Sequence, residues 1–179
     1  VLREIGRYFA ATDNPFRAVP YFEELLARTN PEAEEFKLLA EMELGIIEMR
    51  AIDPGKMQSA RERFRRIISS GKDKALIPQA WLNLAMLHIK NKEWSDAREA
   101  LDTINKEKKW FQDEKEKRAE AGFLLGTVYD ELDDPVAANQ AYLAVVSTYG
   151  KFADWVTQAW ERYIPNSLAD FEKMPTDTE

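Results

Sequence analysis

The chain has 179 residues and no cysteine. Disulfides, thiol nucleophiles, thiolate-held zinc and iron–sulfur clusters are excluded with it. The absence does not mark a compartment, because reducing and oxidising spaces both contain Cys-free proteins. Histidine occurs once, as His88. Neither a Cys–His pair nor a multi-His metal site can therefore be assembled, and no metal or cofactor is expected. Positive charge is short, with a net charge of −7, which argues against wrapping a nucleic-acid backbone. The deficit is uneven: residues 1–118 hold 22 basic and 21 acidic side chains, and residues 119–179 hold 3 and 11. The second stretch repels phosphate and anionic lipid and suits a basic partner. No apolar run approaches the roughly 18 residues that span a bilayer, so direct membrane insertion is not expected.

Catalytic patterns are missing as well. There is no phosphate-binding glycine loop, zinc-protease helix motif or nucleophile elbow, and the chain is expected not to be an enzyme. His88 falls on an apolar helical face, where a packed, hydrogen-bonded histidine is the expected state. Asp130, Glu131, Asp133 and Asp134 lack the glycine and spacing of a calcium loop. They read as a solvated turn in which Asp133 or Asp134 caps the helix opened by Pro135. Arg61, Arg63, Arg65 and Arg66 form a basic run broken by Glu62 and Phe64, expected on an outward, solvated face, with a local anionic contact as the lesser alternative. Trp110 and Phe111, between charged stretches, are placed to staple the start of the next helix.

What remains is a helix-forming mixture of Ala, Leu, Glu, Lys and Arg, with 45% hydrophobic residues, enough for a sizeable core. Glycine (7) and proline (8) are scarce and gather at turns. One pattern recurs: two apolar residues three apart, then a small residue, then an aromatic or long one. An alanine follows after a gap, then an aromatic or Leu, then an aliphatic residue. The clearest copy is Trp81, Leu84, Ala85, His88, Ala97, Leu101 and Ile104. A second is Gly122, Leu125, Gly126, Tyr129, Ala138, Tyr142 and Val145, offset by 41 residues. Earlier copies are Leu2, Ile5, Gly6, Phe9, Ala18, Phe22 and Leu25, and then Leu44, Gly45, Ala60, Phe64 and Ile67.

This succession resembles the tetratricopeptide repeat (TPR), a helix–turn–helix unit of about 34 residues. The small residues Gly6, Gly45, Ala85 and Gly126, and Ala18, Ala60, Ala97 and Ala138, stand where the first helix (A) of each unit approaches the second (B). The resemblance implies an all-α superhelix of stacked helix–turn–helix repeats, because no single unit buries its apolar face alone. Repeats are expected over about 1–31, 32–73, 77–111 and 113–152, with a capping helix and tail over 153–179. Helices are expected at 1–11, 15–29, 32–51, 55–70, 77–90, 94–106, 113–132, 135–149 and 152–164. Beyond Pro165, Ser167 is placed to cap a short helix through Phe171, and Pro175 to Glu179 reads as loose. Glu41 and Gly122 depart from the pattern, standing where a large apolar residue opens helix A. The chain begins at Val1, without Met and inside a helix. It reads as a piece of a longer chain, so the missing signal peptide says nothing of its parent.

The resemblance also implies a function, a scaffold that holds a protein or peptide partner on the concave face lined by the A helices. Register places Arg3, Arg7, Met42, Ile46, Met49, Leu82, Met86, Ile89, Phe123 and Thr127 there. Most are apolar and three are Met, which suits an amphipathic helix or apolar peptide. Packing of these side chains within the chain stays open as the alternative, and with it an architectural spacer with no ligand of its own. The Lys/Asn/Arg clamp with which some relatives hold a chaperone's C-terminal carboxylate is not matched by Met42, Glu43, Ile46, Gln79 and Asn83. Within the family, the stretch from Ala138 to Gly150, followed by Ala159 and Arg162, is similar to bacterial cell-envelope members. Those include outer-membrane assembly lipoproteins and periplasmic coordinators of the Tol–Pal machinery, a lean toward the periplasm or envelope.

Overall fold

The computed structural model describes the backbone of residues 1–12, 14–149 and 153–172. Side chains are described up to 165, those of Glu32 and Ala153 excepted. Asp13, residues 150–152 and the tail from 173 lie outside the described residues.

The fold is all-α. In chain order come α1 (Leu2–Ala10), a 3-10 turn (Pro15–Ala18), α2 (Val19–Ala27), α3 (Pro31–Met49), α4 (Pro54–Ser70), α5 (Leu76–Lys90), α6 (Trp94–Lys106), α7 (Lys115–Glu131), α8 (Pro135–Thr148) and α9 (Ala153–Glu172). The boundaries follow local chemistry. Pro31, Pro54 and Pro135 each open a helix, where a missing N–H costs nothing. Asp53 Oδ1 accepts from Lys56 N–H at 2.8 Å and Asp134 Oδ1 from Ala137 N–H at 3.0 Å, each cap satisfying a donor the helix cannot. Gly71 ends α4 at φ 63°, a conformation glycine adopts without steric penalty.

Two expected helices differ. The single helix over 15–29 is a 3-10 turn followed by α2. Pro20 is the reason: inside one continuous helix it would lack a donor and clash with the preceding turn, whereas here it sits in the first turn of α2. At the other end, α9 does not stop at Pro165 but carries it inside a helix that runs to Glu172, so no separate helix starts near Ser167. One lost N–H and a clash with the carbonyl four residues back bend a helix without ending it.

The chain divides into two compact units, Val1–Leu87 and His88–Glu179, the division falling inside α5. Within the first, Ala18, Phe22, Leu25, Ala33, Ala40, Leu44 and Ile47 form one apolar cluster. Met42, Ala60, Phe64, Ile67, Ala80, Leu84 and Leu87 form another. Within the second, Ala119, Ala138, Tyr142, Val145 and Ala159 are packed together, with Phe123, Tyr129, Trp155 and Tyr163 against them.

The close approach of A to B is built from matched sizes. A Cβ added at Gly6 would lie 2.8 Å from Phe22 Cε1, and one at Gly45 would lie 2.7 Å from Phe64 Cε1. One added at Gly126 would strike Tyr142. Glycine thus stands wherever the partner on helix B is aromatic. In the remaining pair the corresponding residues are Ala85 and the shorter Leu101. Gly122 has the same cause, because a Cβ there would meet Val145 Cγ2 at 2.7 Å.

The turns repeat too. Lys92 and Asp133, at corresponding places, both have positive φ, 59° and 57°. Glu93 N–H donates to His88 O at 2.9 Å, and Asp134 N–H donates to Tyr129 O at 3.0 Å. The 41-residue offset between these copies is absorbed after α6. There Arg118 of α7 donates to the carbonyls of Ile104 (2.9 Å), Asn105 (3.0 Å), Glu107 (3.0 Å) and Trp110 (3.2 Å). It ties the end of α6 to the insert, satisfying carbonyls of the last turn. Phe111 is buried at φ 54°, with the Lys117 ammonium 5.7 Å above its ring.

Candidate functional site

The ten positions assigned to the A-helix face fall in three registers. The first holds Arg3, Met42, Leu82 and Phe123, and most of it is closed. Met42 is 2% exposed in the cluster around Phe64 and Leu84, and its Sδ accepts from Asn83 Nδ2 at 3.5 Å. Leu82 is 5% exposed. Phe123 packs against Tyr142 and Trp155, with ring centroids 5.8 and 5.5 Å away. Met42 and Leu82 are thus buried and Phe123 is partly buried, so this register offers a partner less surface than its apolar character suggests. The register lies deep because its side chains point toward neighbouring helices, a distinction apolar character alone does not reveal. Arg3 is half-exposed, pairs with Glu4 and stacks 4.5 Å over the Phe36 ring.

The second register, Arg7, Ile46, Met86 and Thr127, is more open. Arg7 is exposed, and Ile46 and Met86 are half-buried. Thr127 is half-buried and its hydroxyl donates to Phe123 O at 3.2 Å. Of the third register, Met49 and Ile89 are half-buried, with Met49 at the edge of the Phe64 cluster.

Charge on this face centres on Glu43, a residue the sequence did not mark as central. Burial raises its pKa, and Arg7 and Arg50 oppose that shift. In the first unit, a half-buried carboxylate therefore lies in the field of two exposed guanidinium groups, three residues before Ile46 on α3.

The basic run on α4 is solvated in part: Arg65 and Arg66 are exposed, whereas Arg63 makes the anionic contact. Arg63 Nη1 is 2.6 Å from Glu41 Oε2, and Arg63 Nε is 2.9 Å from Glu48 Oε2, all three side chains being at most 16% exposed. Arg66 Nη2 also reaches Glu41, at 3.0 Å. Burial works against the Arg63 charge, but the two carboxylates prevail and raise its pKa. Glu41 stands in place of an apolar residue because helix B brings guanidinium groups to it. The sequence contained that signal: Glu41 departs from the pattern on helix A, and the basic run lies on the helix B that follows.

In the second unit, Tyr142 is fully buried and its hydroxyl donates to Asp130 Oδ2 at 2.6 Å. Burial, and then that carboxylate, raise its pKa far above the phenol range. His88 is buried at 3% exposure, with Nδ1 2.5 Å from Glu93 Oε2. Together with Asp96 it gathers three donor atoms that could hold a cation. A cleft of about 420 Å³ lies among α1, α2 and α3 and is lined by Leu2, Arg3, Leu25, Arg28 and Phe36 among others. Among the described residues, no helix is long and apolar enough to cross a membrane.

Residues 79–107 match the family model of the tetratricopeptide repeat. A search of curated proteins gives no match. Solved structures share the fold. A Podosopora anserina structure titled as kinesin light chain nearly identical TPR-like repeats superposes with a TM-score of 0.69 at 16% identity, covering 96% of this chain and 86% of its own. MamA superposes with a TM-score of 0.62 at 17% identity, covering 94% and 96%. A MamA RS-1 double mutant gives 0.64 at 14%, covering 97% and 95%. Repeats of this type generally mediate protein–protein interactions. The chain thus carries a tetratricopeptide repeat at residues 79–107 within a TPR-like, all-helical fold.

Proposed function

We propose that this protein is a non-catalytic interaction scaffold that binds a peptide or helix of a partner protein. The binding surface is the A-helix face of the first unit, with Ile46, Met49 and Met86 as apolar contacts and Arg7 and Arg50 as a basic rim. The observation that carries this is a partly open row of flexible apolar side chains in the shallow registers, beside a Glu43 carboxylate shadowed by two arginines. Met adapts its shape to varied apolar partners. The best-fitting ligand is an amphipathic helix with acidic flanks.

Selection from a displayed peptide library, followed by titration of the winners, tests this. Binding weakened at least tenfold by Met86→Glu and Ile46→Glu, with unchanged circular dichroism, supports the face. Equal binding by both folded variants defeats it. An architectural spacer is the second candidate, favoured by the closed state of Met42 and Leu82. It predicts that the library yields no binder displaced by those variants. Placement in the bacterial envelope rests on the Ala138–Gly150 stretch with Ala159 and Arg162 after it, and fractionation of the native host tests it.

A further inference from the structure

His88, Glu93 and Asp96 surround the turn between α5 and α6. Lys92, in the left-handed region, reverses the chain so that the first turn of α6 returns beside His88. His88 Nδ1 then lies 2.5 Å from Glu93 Oε2 and 4.0 Å from Asp96 Oδ2, and the three donor atoms all fall within 4.8 Å of one another. The imidazole side chain is 4% exposed, the carboxylates 31% and 62%.

The equivalent turn between α7 and α8 shows what is unusual here. Its N-cap residue, Asp134, turns its carboxylate onto its own helix and accepts from Ala137 N–H. Glu93 holds the same N-cap place but makes no such bond, and its carboxylate faces a buried imidazole instead. Tyr129 and Ala137 stand where this turn has His88 and Asp96. The carboxylate is thus withdrawn from capping in the one turn that also has a histidine and a second acid.

We infer that His88, Glu93 and Asp96 bind a divalent first-row transition-metal ion of the zinc class. Ligands about 2.0–2.1 Å from a tetrahedral ion stand roughly 3.3 Å apart. Glu93 must retreat and exposed Asp96 advance by less than about 1 Å each to meet that spacing. A neutral imidazole and two carboxylates match the charge of the ion, and the imidazole favours zinc, cobalt or nickel over magnesium or calcium. The ion competes with protons for these ligands, so affinity falls as pH falls. Water completes the coordination on the Asp96 side. One histidine with two acids is a set that counting cysteines and histidines does not exclude.

The test uses the full chain, stripped with chelator and titrated at pH 7 with Zn²⁺ by calorimetry and with Co²⁺ by visible absorption. The expected result is 1:1 binding with a cobalt d–d band and a melting temperature raised by about 5 °C at saturating zinc. Asp96→Asn, at an exposed position, should weaken binding at least tenfold and leave the metal-free melt unchanged. His88→Tyr, which installs the residue found at position 129, should abolish it with helicity intact. No 1:1 binding up to roughly 0.1 mM zinc overturns the inference. So does zinc binding that is equally tight in both variants.

Discussion

Replacing Arg63 by Met should destabilise the first unit more than any exposed substitution on α4. The side chain keeps its length and apolar stem but loses its charge, leaving two carboxylates behind. Glu41 retains Arg66 at 3.0 Å, so Glu48, 15% exposed and otherwise paired only with Arg63 among the described residues, takes the loss. Orphaning one member of a buried pair costs about 3–5 kcal/mol; the remaining exposure of Glu48 places this case near 3 kcal/mol. For a chain of this size that corresponds to a fall in melting temperature of roughly 6–12 °C. The sign of the pH dependence gives an internal control. A carboxylate buried without a partner has a folded-state pKa above its unfolded value. Its penalty is therefore full above the folded pKa and vanishes below the unfolded one. Urea melts of wild type and Arg63→Met should differ by about 3 kcal/mol at pH 7 and converge in the acid range. Adding Glu48→Gln should recover most of the loss at pH 7. A difference below about 1 kcal/mol, or one that persists undiminished in acid, would refute the reasoning.

Further substitutions probe other parts of the structure. Gly45→Ala drives a Cβ into the Phe64 ring and should cost about 1–3 kcal/mol, and Phe64→Leu added to it should recover part, as the Ala85 and Leu101 positions suggest. Lys92→Gly relieves a left-handed backbone and should raise stability by about 1 kcal/mol in a denaturant melt, as should Asp133→Gly. Arg118→Ala removes the guanidinium bonds to four carbonyls, of which Glu107 O keeps its bond from Trp110 N–H, and limited proteolysis should then cut within 107–114 much faster than in wild type. Glu43→Gln removes a carboxylate whose pKa is raised by burial, a contribution that destabilises above its folded pKa and disappears in acid. The variant should be more stable than wild type at pH 7 and equal to it near pH 4, by urea melts at each pH.

The repeat was legible because it is written in volumes. Gly6, Gly45, Ala85 and Gly126 recur at corresponding places, and the residue each faces on helix B fixes how small each must be. Helix ends were legible where one residue acts alone, as at Asp53, Gly71 and Asp134. They were missed where two signals compete. Pro20 splits the second helix although the surrounding periodicity favours continuity, and Pro165 fails to end α9. The candidate site was less legible. Met42 and Ile46 are both apolar and one helical turn apart, yet one is core and the other half-open. Which it is depends on how neighbouring helices pack, which residue type does not encode. Glu41 departed from the pattern and Arg63 read as one of a solvated run, and the pairing that explains both is visible only in the packed helices. Glu93 and Asp96 carried no pattern, because their proximity to His88 comes from a reversed turn rather than from helical spacing.

Of all the statements made, the one on which function rests is that a partner peptide lies along the A helices of the first unit. Amide shift mapping with a library-selected peptide tests it most directly. Perturbations centred on Arg7, Ile46, Met49 and Met86, with Glu62 and Arg65 of α4 unmoved, are the predicted result. Perturbations confined to α4, or to no residue of the first unit, would contradict it.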